Sequence, residues 1–105
     1  NNKILFHSVP YLERDPESLE WDQYNLLGSA ASLGCVRLSV ADSKWIYDNC
    51  KKGTKVVVYD DKEDVGELGK PKVKKIDPNS KNRGWDPTDI NPLNPWLMEK
   101  TAKLN

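Results

Sequence analysis

The stretch Gly28-Ser-Ala-Ala-Ser-Leu-Gly-Cys-Val-Arg-Leu-Ser39 constrains this chain more than any other. Six of its first eight residues are small, and they run straight into a cysteine, an arginine and a helix-start signal. Small residues let a backbone turn tightly and let a ligand come close. A thiol at the end of such a turn can be reached, whereas one inside an apolar periodic run is packed away. Cys35 therefore reads as a nucleophile, and His7, the only histidine, reads as its base.

The 105 residues are enough for one small domain. Sixteen basic residues balance sixteen acidic ones, which gives no electrostatic reason to expect nucleic acid or an anionic membrane as partner. No apolar run approaches the roughly 20 residues of a membrane span, and no signal peptide or sorting motif is visible. The chain opens on Asn-Asn without an initiator Met, so it reads as a piece cut from a longer protein.

Lys3-Ile-Leu-Phe6 is an apolar run expected to form a buried strand that delivers His7 and Ser8 at its end. Tyr11 to Gln23 is polar and acidic and reads as a surface excursion. Trp21 and Tyr24 fold back from it, either to pin the loop or to line a cleft. Ser39-Val-Ala-Asp42 resembles a capping box, a hydroxyl cap followed three residues later by an acid, and predicts a helix from about Val40 to Asn49. Ala41, Trp45 and Ile46 form its expected core stripe. Lys51-Lys52-Gly53 is expected to end it, with cations in the last turn. Thr54–Tyr59, with three consecutive valines, is the clearest strand and predicts burial on both faces. From Asp60 to Lys75 an acidic block precedes a basic one, as in solvated turns or an edge hairpin. The remainder is rich in Pro, Asn and Asp; Trp85 and Trp96 are expected to anchor it, and Pro95 to open a closing helical turn.

A thiol attacks as a thiolate, and a neighbouring imidazole favours the anion by accepting the proton. The other nitrogen of His7 needs an orienting partner, which the nearby backbone carbonyl of Ser8 would supply. The backbone N–H groups at Gly34 and Cys35 can form an oxyanion hole. Arg37 has three open roles: favouring the thiolate, binding a substrate carboxylate, or fixing the loop. Ser32, Arg37 and Tyr24 are the candidate substrate contacts, with hydrogen bonding inside the turn an equal explanation for Ser32.

These residues carry a resemblance. Ser32-Leu-Gly-Cys-Val-Arg-Leu-Ser39, the helix after it and Phe6-His7-Ser8 resemble the catalytic domain of the bacterial L,D-transpeptidases over about residues 3 to 60. Gly84-Trp-Asp-Pro-Thr-Asp and Asn94-Pro-Trp96 are similar to extensions of Gram-positive members. The resemblance implies a mostly β sandwich or barrel, with one helix after the cysteine loop. Residues 1–60 would be the C-terminal half of that domain and 61–105 a charged turn region and a tail packed on it. It implies ping-pong acyl transfer on peptidoglycan stem peptides. Cys35 would attack at the third residue of a tetrapeptide, D-alanine would leave, and a side-chain amine would accept the acyl group in a 3→3 cross-link. Water as acceptor would give a carboxypeptidase. It further implies acylation of Cys35 by carbapenems, no metal or organic cofactor, and a place at the cell envelope. The family's usual His is Leu33 here, and its earlier strands are absent, so the rest of the domain is an expected partner.

A competing reading is a non-catalytic peptidoglycan-binding or regulatory module of the same fold. A thiol–disulfide or zinc role fits poorly, because one His and two Cys lack both a CxxC spacing and enough ligands. A Cys35–Cys50 disulfide would abolish nucleophilicity; otherwise Cys50 reads as a helix-end packing residue.

Overall fold

Two short strands, β1 (Phe6–Ser8) and β2 (Val36–Leu38), pair in parallel in the computed structural model, which describes residues 4–59, 66, 69, 72 and 74–104. The register sets Phe6 opposite Val36, His7 opposite Arg37 and Ser8 opposite Leu38. Parallel strands need a long crossover, and residues 9–35 supply it. Helix α1 (Trp21–Tyr24) lies in that crossover. Helix α2 (Val40–Asn49) follows β2 directly, and α3 (Pro95–Leu104) closes the chain.

The core sits beside the sheet rather than under it. Val9, Leu19, Tyr24 and Ile76 are buried together, with Tyr11, Trp21, Leu27 and Trp96 packed against them. The crossover is shaped for this by an isolated antiparallel bridge between Tyr11 and Leu19. Ser18 Oγ accepts from the Glu13 N–H at 3.1 Å and donates to the carbonyls of Glu13 and Asp15, which closes the polar loop on itself.

The tail completes the core with Ile76 and Trp96. Asn25 holds Ile76 by two bonds: its Nδ2 donates to the Ile76 carbonyl at 2.8 Å, and its Oδ1 accepts from the Ile76 N–H at 2.7 Å. The Leu19 N–H donates to the Gly84 carbonyl at 2.9 Å. Trp85 is buried, and Trp96 donates its indole N–H to the carbonyls of Asn82 and Trp85. Burying a side chain of this size is worth roughly 1.5–3 kcal/mol. Asn94, fully buried, ties the carbonyls of Asp86 and Asp89 to the first turn of α3.

Helix α2 starts where the capping pattern places it: Ser39 Oγ accepts from the Asp42 N–H at 3.2 Å. It ends at Asn49 with Cys50 as its C-cap, so Lys51 and Lys52 lie beyond the last turn rather than in it. Its sheet-facing row is Ser43 and Ile46, both half-buried. Trp45, expected in the core, is rotated off that row and stands 61 % exposed.

Two further expectations are corrected. The β1 run is not buried: Ile4, Leu5 and Phe6 are exposed, although α2 lies beside Phe6. Residues 54–59 form no strand, and Val58 is 88 % exposed. Valines favour extended backbone, but a strand is held by the neighbour it pairs with, and residues 54–58 join no ladder among the described residues. Of the expected β sandwich or barrel the described residues hold a two-stranded sheet, with the expected helix after the cysteine loop and two others. Most of the opposite-charge blocks between Asp60 and Lys75 lie outside the described residues.

Candidate active site

β1 and β2 bring His7 and Cys35 to one cleft. His7 stands opposite Arg37. Side chains two apart along an extended chain share a face, and the Val36 N–H donates to the Leu5 carbonyl at 2.9 Å. Cys35 therefore extends the same face one step back from Arg37. His7, Ser32, Leu33, Gly34, Cys35 and Arg37 line one open cleft of about 580 Å³.

His7 Nδ1 lies 2.6 Å from the Ser8 carbonyl oxygen. A carbonyl only accepts, so the proton of the neutral imidazole sits on Nδ1. Nε2 is then the lone-pair nitrogen, the form a general base requires.

The loop before Cys35 is bracketed by Ser32. Its hydroxyl accepts from the Gly34 N–H at 3.2 Å and donates to the Cys35 carbonyl. Gly34 has φ +153, a backbone region that L side chains rarely adopt, which is why glycine precedes the thiol. The Gly34 N–H is thus engaged inside the turn. The Cys35 N–H has no acceptor among the described residues, so it is the better placed of the two to meet an oxyanion. Cys35 and Cys50 are both free and half-buried. Leu33 projects fully into solvent at the rim of the cleft.

Arg37 is held by a residue not evident in the sequence. Its Nη1 donates to Gln23 Oε1 at 2.7 Å, while its Nε is buried without a partner. Gln23 comes from α1, 14 residues upstream, and no local pattern announces that contact. Tyr24 lies apart from the His7–Cys35 cleft, packed in the core. Burial first, then the carboxylates of Asp86 and Asp42, push its phenol up to about 12. Burial, followed by Asp86, Asp89 and Tyr24, also raises the phenol of Tyr11.

Two tail residues reach the start of α2. Asp86 Oδ2 accepts from the Val40 N–H, and Thr88 Oγ1 accepts from the Ala41 N–H at 3.0 Å. The Asp-Pro-Thr sequence signals a local turn, which forms with the Thr88 N–H on Asp86 Oδ1 at 2.7 Å; the longer reach to α2 leaves no trace in sequence. Among the described residues, no cluster of His, Cys, Asp and Glu is arranged to hold a metal ion, and no helix is long and apolar enough to cross a membrane.

The parallel pair thus presents the single imidazole of the sequence and a loop-borne cysteine in one cleft. The family model for YkuD, the L,D-transpeptidase catalytic domain, matches residues 1–58, and the chain belongs to this family. Over 58 residues the chain is 41 % identical to the protein named "Putative L,D-transpeptidase YciB" from Bacillus subtilis (strain 168). The match covers 55 % of this chain and 29 % of that relative, so the chain spans less than a third of the relative's length. No solved structure matches the chain.

Proposed function

We propose that the protein is an L,D-transpeptidase that forms 3→3 cross-links in peptidoglycan through an acyl-enzyme on Cys35. The observation that carries this reading is the shared cleft of His7 and Cys35, with Nδ1 of His7 committed to the Ser8 carbonyl. Nε2 takes the thiol proton as sulfur attacks the carbonyl of the third residue of a tetrapeptide stem. The tetrahedral oxyanion is met by the Cys35 N–H. The imidazolium returns the proton to the leaving D-alanine amine as the C–N bond breaks, which leaves a thioester. A side-chain amine of a neighbouring stem attacks the thioester, gives up a proton through His7 and regenerates the thiol. Water in place of the amine yields a carboxypeptidase. Arg37, and Ser32 if its hydroxyl swings out of the loop, are the side chains near enough to contact the stem peptide.

This reaction belongs at the cell envelope. The exposed apolar runs Ile4 to Phe6 and Val56 to Val58 read as surfaces on which further strands of the domain pack.

Intact-mass analysis after exposure to a carbapenem tests the proposal. The expected result is one covalent adduct, lost in Cys35→Ala and retained in Cys50→Ala. A folded protein without any adduct, or an adduct that survives Cys35→Ala, overturns it in favour of a non-catalytic module.

A further inference from the structure

A second pocket lined by Arg37, of about 470 Å³, opens between the β2–α2 junction and the tail. Its apolar lining comes from Tyr24, Leu27, Leu38 and Pro87. Among the described residues its charged lining is three cations, Arg37, Lys72 and Lys74, against one acid, Asp42. Lys72, Lys74 and Pro87 lie outside residues 1–58, so the family-matched part and the tail build the pocket together.

Arg37 is the unexplained group. It is half-buried, one nitrogen donates to Gln23, its Nε is buried without a partner, and no carboxylate pairs with it among the described residues. A charge withdrawn from water is ordinarily compensated by an anion. The start of α2 does not serve as an anion site, since the N–H groups of Val40, Ala41 and Asp42 already donate to Asp86, Thr88 and Ser39. The missing acceptor must therefore meet side chains, and the apolar lining beside them suits a ligand with a carbon body rather than a bare inorganic anion.

We infer that this pocket binds an organic carboxylate with a small apolar body, the carboxylate on Arg37 and the body against Tyr24, Leu27 and Pro87. Lys72 and Lys74 add attraction at the rim, and Asp42 disfavours a second negative charge. The planar fork of the guanidinium matches a carboxylate in two parallel hydrogen bonds. Cys35 does not line the pocket, so binding there does not depend on acyl transfer.

The test is an NMR titration of the protein with N-acetyl-leucine, its neutral amide and inorganic phosphate at matched ionic strength. The acid should shift the amide signals of Tyr24, Leu27 and Gly28, and the two controls should not. Arg37→Gln should weaken binding about tenfold, the scale of one charge-assisted contact. Lys72→Gln with Lys74→Gln, both on exposed side chains that leave the fold untouched, should weaken it severalfold. Cys35→Ala, which abolishes acylation, should leave the titration unchanged, so this inference and the acyl-transfer reading fail separately. Equal shifts with the amide or with phosphate overturn the proposal. So does full affinity in the double lysine variant or in a folded Arg37→Gln.

Discussion

Asp86 Oδ2 accepts a hydrogen bond from the Val40 N–H at 2.9 Å, so a tail residue caps the helix that follows the cysteine loop. The same carboxylate accepts from the Thr88 N–H and hydroxyl, and it is fully buried. Asp86→Ala leaves the half-buried first N–H of α2 without its acceptor and frees Thr88. The expected cost is about 2–3 kcal/mol, read as a lower urea midpoint. Asp86→Asn keeps an acceptor oxygen and should lose less. Equal midpoints for all three proteins would remove Asp86 from this role.

Gly84 is required by space rather than by its torsion. A Cβ there would stand 2.1 Å from the Glu17 carbonyl oxygen, a backbone atom with no room to yield. Gly84→Ala should therefore part the tail from the crossover and cost at least about 2 kcal/mol. A red shift of tryptophan fluorescence, from Trp85 and Trp96 entering water, would report it before global unfolding.

Gly34 presents the opposite case. A Cβ there would meet nothing within 4 Å, so the cost of Gly34→Ala comes from φ +153 alone. About 1–3 kcal/mol of backbone strain is expected, relieved by a shift of the loop that Ser32 brackets. The readout is alkylation by iodoacetamide. The rate at Cys35 should change while the rate at Cys50 does not.

The tyrosines set an alkaline limit. An unfolded Tyr24 phenol loses its proton near 10, whereas the folded one holds it to about 12. Through that interval the unfolded state binds fewer protons, so stability falls as pH rises. Its contribution is complete below pH 10. Tyr11 is raised as well and adds to the same loss. Urea midpoints should be flat up to about pH 9 and decline above about 10. Asp86→Asn should lower the Tyr24 titration seen in the ultraviolet, since the Asp86 carboxylate is its second cause after burial.

Local chemistry was readable and long-range cover was not. Ser39 caps α2 because a hydroxyl and an N–H three residues away need no tertiary information. The hydrogen bond of His7 to the Ser8 carbonyl spans adjacent residues for the same reason. Trp45 misled because a loose apolar stripe leaves a helix free to choose its phase; α2 turns Ser43 and Ile46 inward instead. Val56–Val58 misled because a β-forming composition says nothing about the presence of a neighbour. Gln23 on Arg37 and Asp86 on Val40 bridge 14 and 46 residues, and each is an ordinary polar residue in its own segment.

Only three residue pairs fix how β1 lies along β2. Because alternate residues of a strand point to opposite sides, sliding one chain by a single position would swing the imidazole through the sheet and away from the sulfur. Whatever braces this short ladder, the Ser39 cap and the tail behind it included, thereby decides whether imidazole and sulfur meet in one cleft at all.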